Sequence, residues 1–290
     1  MNQLTLRPRG PFSLAMSSRF LCGFTPASGG SSVDPDGTLN LTFLDDATFE
    51  PVRASVAQRD DVLVLTLEGT ADTRQVARIL SLDHEGEGLG EVAARDPVVA
   101  RLLAKRPGFR PVCFASAYEA AIWGILAQRT PMPVAAANKR RLAAASGTRA
   151  PVPSPARLLA MEPISGIAAE KHERLCGVAR AALDGTLDTE TLRAMPKEHA
   201  LASLRELRGV GPWTAEHILL RGCGVRDELP EAEPRFASAV GAAYGIAAPS
   251  TAAIARLAEA WRPYRMWIAV LLVASSMSGA GPLEGGETTA

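Results

Sequence analysis

The chain has 290 residues, 47% of them hydrophobic, and its 31 basic residues balance its 31 acidic ones. That much apolar material fills a sizeable core in one compact unit or two domains, and the balanced charge excludes a global positive field, so any face for an anionic partner must be local. Four scattered cysteines, Cys22, Cys113, Cys176 and Cys223, make no CxxC or Cys/His ligand spacing, which speaks against a zinc site and for reduced core thiols in a cytosolic protein.

In chain order, the apolar run Phe12–Met16 is cut by Ser17-Ser18-Arg19, a poor signal peptide. Gly29-Gly30-Ser31-Ser32 and Pro35-Asp-Gly37 read as loops. Thr38–Phe43 then alternates strictly, as do Val52, Ala54 and Val56, and Val62–Leu67 follows the Asp60-Asp61 turn. A period of two over three such runs predicts an antiparallel meander. Asp72 is placed to cap a helix reaching about Leu82, with Val76, Ile79 and Leu80 turned to the sheet.

From Glu91 the period becomes helical. Asp96-Pro97 starts one helix, and Ser116 caps another whose Tyr118, Ala121, Ile122 and Ile125 share a face ahead of Gln128-Arg129-Thr130, with Pro131 and Pro133 as the stop. Basic clusters at Arg101/Lys105/Arg106/Arg110 and Lys139/Arg140/Arg141 read equally as solvated helix faces or as local anion-binding faces. Ala150–Pro155 is a proline-rich connector, Leu175–Leu183 a buried helix ended by Gly185, and Pro196 opens the next. The pattern therefore predicts an α+β chain. Residues 1–85 form an N-terminal α+β domain, 86–280 a helical domain and 281–290 a disordered tail.

Leu201–Phe236 is the stretch that states a chemistry. Leu201, Leu204 and Leu207 recur at helical spacing, Gly209-Val210-Gly211 breaks the helix, and Pro212 starts another with Ala215, Ile218, Leu219 and Gly222 on one face. A glycine turn at a helix N-terminus leaves backbone N–H groups bare, so a phosphate can come close and meet the positive end of the dipole. Such contacts hold a nucleic acid without reading it. Beyond it, Pro234 opens a helix through Ala243, Ile254, Leu257, Ala258 and Trp261 make one apolar face, and Trp267–Ala274 is a buried helix too short to span a bilayer.

Three ordered motifs carry a resemblance to a family: LRGVGPWTAEHILLRG, the acidic segment PEAE, and Trp261-Arg-Pro-Tyr-Arg265. Together they resemble the helix-hairpin-helix DNA glycosylases, in particular the 3-methyladenine DNA glycosylase II branch. The match is weakest over the N-terminal domain. The resemblance implies a small antiparallel sheet domain followed by an all-α helix-hairpin-helix glycosylase domain, in a cytoplasmic, nucleoid-associated monomer acting on double-stranded DNA with a damaged base. It implies base excision repair, in which an N-glycosidic bond is hydrolysed around a base flipped out of the duplex. The alternative is a DNA-binding protein of the same fold that has lost or redirected catalysis.

Residue by residue, the resemblance puts the catalytic carboxylate six positions after Arg226-Asp227, at Glu233, where the family has aspartate. The extra methylene moves the charge, and a displacement of around 1 Å can cost on the order of 10²-fold in rate. Glu228 and Glu231 are close enough in sequence to raise its pKa if they point the same way. Trp213 stands where the lyase members carry a lysine nucleophile, implying no Schiff-base chemistry. Trp213, His217 and Tyr264 are the candidate base pocket, while Val273 falls where close relatives have another tryptophan. Gln128, Arg129, Gly209, Val210, Gly211 and Thr214 are the candidate DNA contacts, with Arg129 at the position of a duplex wedge that is usually apolar. No metal and no iron–sulfur cluster is expected, and a monovalent cation at the hairpin is the one cofactor left open.

Overall fold

The computed structural model describes residues 2–68 and 73–276. Asp72, expected as a helix cap, and the tail from 277 lie outside the described residues. Five strands form the sheet: β1 (Asn2–Leu6), β2 (Ser31–Val33), β3 (Leu39–Leu44), β4 (Pro51–Arg59) and β5 (Val62–Glu68). Their order is β1-β5-β4-β3-β2, antiparallel throughout. The three alternating runs are the central strands, and their apolar sets (Leu39/Leu41/Phe43, Val52/Ala54/Val56, Leu63/Leu65/Leu67) are buried as a period of two requires.

The sheet also holds two strands that the pattern leaves out. β1 has no apolar alternation strong enough to announce it. Ser31–Ser32, read as loop, pairs instead with Asn40 and Leu41, because an edge strand can be polar when only one side needs a partner. Helix α1 (Leu14–Gly23), N-capped by Ser13, crosses between them.

The helices follow in order: α2 (Thr73–Ile79), α3 (Leu89–Arg95), α4 (Pro97–Ala104), α5 (Ala117–Ala127), α6 (Met132–Ser146), α7 (Pro155–Leu159), α8 (Ala169–Leu183), α9 (Thr189–Ala194), α10 (Lys197–Arg205), α11 (Pro212–His217), α12 (Pro234–Tyr244), α13 (Thr251–Ala258) and α14 (Arg265–Ser276). α11 continues as a π-helical turn over Ile218–Gly222. α2 stops at Ile79, short of the expected Leu82, where Ser81 turns left-handed with φ 52°. Pro131 and Pro133 do more than stop a helix: α5 has already ended at Ala127, and they begin α6.

α5 is the axis of the helical half. Ser116 Oγ accepts the Glu119 N–H at 3.0 Å, and every residue from Ala117 to Leu126 is buried, not one face alone. Asp96 works on two sides: Oδ1 caps α4 by accepting from Val98 and Val99 (2.9 and 3.2 Å), while Oδ2 accepts from the Trp261 indole at 2.9 Å and the Tyr244 hydroxyl. This pins α12 and the turn after α13 onto α4.

Each basic cluster is split: Arg101, Lys105, Arg140 and Arg141 are exposed, whereas Arg106, Arg110 and Lys139 are buried. Arg110 is fully buried, donating to the carbonyls of Arg9, Gly10, Pro11, Ser81 and His84. Lys139 is 1% exposed, with Nζ 2.8 Å from Glu119 Oε1. Of the four free cysteines, only Cys113 and Cys223 are core; Cys22 is exposed and Cys176 half-buried. No described helix is long and apolar enough to cross a membrane.

Candidate active site

The hairpin joins α10 to α11 through Leu207–Gly211. Gly209 has φ 90°, open to glycine alone at low cost, and a Cβ there would lie 2.5 Å from Arg174 Cδ. Gly211 is an ordinary extended residue whose added Cβ would meet nothing within 4 Å, and as N-cap of α11 it supplies no side chain to the first N–H groups. The turn is therefore packed from behind and bare in front.

The backing comes from α5 and α8. Gln128, the C-cap of α5, donates from Nε2 to the Gly209 carbonyl and accepts at Oε1 from Arg174 at 2.8 Å. Lys171 Nζ donates to the carbonyls of Leu126 (2.9 Å) and Gln128 (2.8 Å) and to the Thr130 hydroxyl, closing the end of α5. Between them Arg129 is exposed and left-handed, φ 49°. A non-glycine residue in that region costs on the order of 1–3 kcal/mol and persists only where its surroundings over-determine it, as this cage does.

The candidate DNA contacts divide accordingly. Arg129 and Gly211 face outward. Gln128 is turned inward to hold the hairpin, and Val210 and Thr214 are 5% and 3% exposed, Thr214 against Gly124 of α5. Their side chains are closed off from a duplex, leaving only the main chain around them. Of the hairpin's carbonyls, that of Gly209 accepts from Gln128 and that of Leu207 from the Val210 N–H.

Glu233 caps α12, with Pro234 in its first position. Its Oε2 accepts from Trp213 Nε1 at 3.0 Å, and its Oε1 from Arg235, at 2.7 Å from Nε and 3.3 Å from N. The turn before it is fixed by Glu216 of α11, which accepts the Ala232 N–H at 2.8 Å. Glu228 and Glu231 do not crowd it: both pair with Lys197 (3.4 and 3.9 Å), and Glu228 also with Arg265. Burial pushes the Glu233 carboxyl up, but the bonds from Arg235 and Trp213 outweigh it and hold the group below its ordinary value.

Trp213 lies flat on His217, centroids 4.8 Å apart and 16° between planes, and Phe114 meets His217 edge-on at 5.2 Å. His217 is half-buried, and its Nε2 is enclosed with no hydrogen-bond partner among the described residues. Burial, then the Arg221 cation, push its pKa down to about 3 against the pull of Glu233, so the imidazole is neutral at pH 7. Arg221 itself donates to the Val112 carbonyl at 2.7 Å and sits 4.6 Å from the Phe24 ring.

Phe24, Phe114 and Arg221 were not singled out from sequence, because their roles depend on segments far apart in the chain. Tyr264 belongs to a different neighbourhood. It is 2% exposed, 5.1 Å from Trp267, with Arg226 4.9 Å over its ring and Gly88 against its edge. A cleft of about 390 Å³ lies elsewhere, between β3, β4 and the turn after α6, and contains none of these residues.

No family model matches the chain. By sequence it is 32% identical over 184 residues to DNA-3-methyladenine glycosylase 2 of Escherichia coli (58% of this chain, 61% of that protein) and 28% identical over 152 residues to DNA-3-methyladenine glycosylase of Bacillus subtilis (48% and 50%). The chain thus spans about half to three-fifths of the length of these curated relatives. By structure it matches a 3-methyladenine DNA-glycosylase from Archaeoglobus fulgidus with TM-score 0.72 over 93% of this chain and 97% of that one, at 17% identity, a likeness of fold. In fold and, over part of their length, in sequence, the chain is thus similar to the 3-methyladenine DNA glycosylases of the helix-hairpin-helix superfamily.

Proposed function

We propose that this protein is a monofunctional DNA glycosylase of base excision repair, hydrolysing the N-glycosidic bond of a damaged, alkylated base flipped out of duplex DNA. The observation that carries the reading is the Glu233 carboxylate, fixed at the start of α12 against the Trp213–His217 stack. As the base leaves, its sugar becomes oxocarbenium-like, and a preorganised carboxylate beside it stabilises the positive charge and orients the attacking water. Water is the nucleophile in this reading because position 213 offers an indole where a lyase needs an amine. The hairpin would grip the backbone through the bare N–H groups after Gly211, while exposed Arg129 enters the duplex beside the flipped nucleotide. Trp213 and His217 would line the pocket that receives the base, with Trp213 keeping its bond to Glu233.

The test is a base-release screen over alkylated, deaminated and oxidised duplexes with Glu233→Gln as control. Release by the native protein alone supports the reading; release by neither, or equally by both, removes it. One observation favours a second reading, a DNA-binding protein without catalysis: both Glu233 oxygens are already engaged, one by a cation. Duplex binding without release of any base would establish it.

A further inference from the structure

Glu233 is over-subscribed for a group whose charge must act on a substrate. Arg235 engages Oε1 twice, from Nε at 2.7 Å and N at 3.3 Å, and the Trp213 indole takes Oε2 at 3.0 Å. A carboxylate paired with a guanidinium presents almost no net charge, so in this arrangement it is poorly suited to stabilise an oxocarbenium ion. The two partners are unlike. Trp213 is neutral and half-buried in its stack, whereas Arg235 has its side chain 51% exposed on the first turn of α12, against 16% for Glu233.

The other groups packed around Glu233 do not compete for it. On α11, Glu216 is committed to the Ala232 N–H and His217 is a neutral ring stacked on Trp213. On the π-helical turn the Arg221 cation is committed to the Val112 carbonyl, and in the preceding loop Glu228 and Glu231 are turned to Lys197. Among the described residues, Arg235 is thus the one movable cation on the carboxylate. A half-exposed ion pair is worth about 1 kcal/mol or less, so the phosphate of a docking duplex can displace Glu233 from Arg235 on even terms.

We infer that Arg235 is a positioning residue that trades Glu233 for a DNA phosphate when duplex binds, freeing Oε1 for the reacting sugar while Trp213 keeps Oε2 in place. The inference rests on the glycosylase reading and deepens it: the carboxylate is held neutralised until DNA is present, and the binding site itself gains a phosphate contact.

The experiment uses the full chain, native and Arg235→Gln, with a duplex carrying a tetrahydrofuran abasic analogue. First, the slope of log affinity against log salt is measured: it should fall by about 0.9 in Arg235→Gln, one phosphate contact, and return with Arg235→Lys. Second, the Glu233 carboxyl is titrated by carbon-13 NMR. In the free proteins it should titrate at higher pH in Arg235→Gln than in the native chain, and on the duplex the two should coincide. An unchanged salt slope, or a difference between the two carboxyls that persists on DNA, overturns the exchange. Neither readout needs turnover, so absence of base release would sink the glycosylase reading and leave Arg235 judged on its own.

Discussion

Two helices of this molecule start in the same way and to opposite ends. α11 and α12 each follow a turn and each has proline in the first position, where its missing N–H costs nothing and the later N–H groups of the first turn remain to be satisfied. At α11 the cap is Gly211, with no side chain and open space before it. At α12 the cap is Glu233, whose own carboxylate accepts from the helix. One N-terminus is left bare for an anion from outside, and the other is supplied with an anion that belongs to the chain. Their supports differ in the same sense: Gln128 and Arg174 press the hairpin forward, while Glu216 and Lys197 hold the acidic turn so that Glu233 stands apart from its acidic neighbours. In the proposed function, the contrast separates holding a duplex from acting on it.

The strongest way to break that separation is at the filled N-terminus. Glu233→Gln keeps the shape and the capping oxygen but removes the charge, so base release should fall to background, a loss on the order of 10²-fold or more, with duplex affinity within a factor of about two. Glu233→Asp sharpens it: aspartate caps well but draws the carboxylate back from Trp213, and activity should drop as well. A gain with aspartate would show a site built for the shorter acid.

The next effect is on stability. With His217 held neutral to about pH 3 in the folded chain and titrating near 6.5 when unfolded, its contribution is fully present above pH 6.5 and is lost as pH falls toward 3. The loss approaches about 1.4 kcal/mol per pH unit through that window. Denaturant melts between pH 7 and 4 should show a shallower decline in His217→Phe than in the native protein. Equal slopes would mean that the ring is hydrated.

The bare N-terminus predicts a smaller, divided result. Gly209→Ala forces a left-handed alanine against Arg174 and should cost about 1–3 kcal/mol of stability. Gly211→Leu should leave the melt nearly unchanged yet weaken binding to all duplexes alike, because what it covers is backbone. If Gly211→Leu binds normally, the hairpin is not part of the interface. Smallest of all, borohydride with abasic DNA should trap no adduct; a trapped lysine would end the monofunctional assignment.

Much of this arrangement is legible in the chain because its signals are local. Asp96-Pro97, Ser116, Gly209 and Pro234 act through groups within four residues, and the strand alternation needs no knowledge of the partner strand. What stays hidden is set by segments that meet only after folding. Phe24 of the N-terminal domain reaches Arg221, Phe114 reaches His217, and Tyr264 turns toward Trp267 instead of the stack. Two signals were present and weak: Glu119 is the single acid in an otherwise apolar helix, and Arg110 stands alone in the apolar run Phe109–Phe114. Each marks a buried charge with a distant partner, and neither says which. The grip of Arg235 on Glu233 is local but depends on a rotamer, which no pattern encodes.

Arg110 also bears on how the N-terminal part can change over evolutionary time. Its buried guanidinium is read by main-chain carbonyls at positions 9, 10, 11, 81 and 84, and burial lowers its pKa only to about 10, so it stays charged and in need of them. Cutting those segments away would remove all five acceptors and uncover the guanidinium together with the Trp267 ring beneath it, so a fragment beginning near residue 86 should fail to fold alone. Carbonyls, however, are supplied by every residue type. At positions 9, 11 and 84 the path is thus held to the helical half by main chain whatever side chain stands there, whereas Gly10, with φ 81° and Glu87 N too close to where a Cβ would sit, is not free to change.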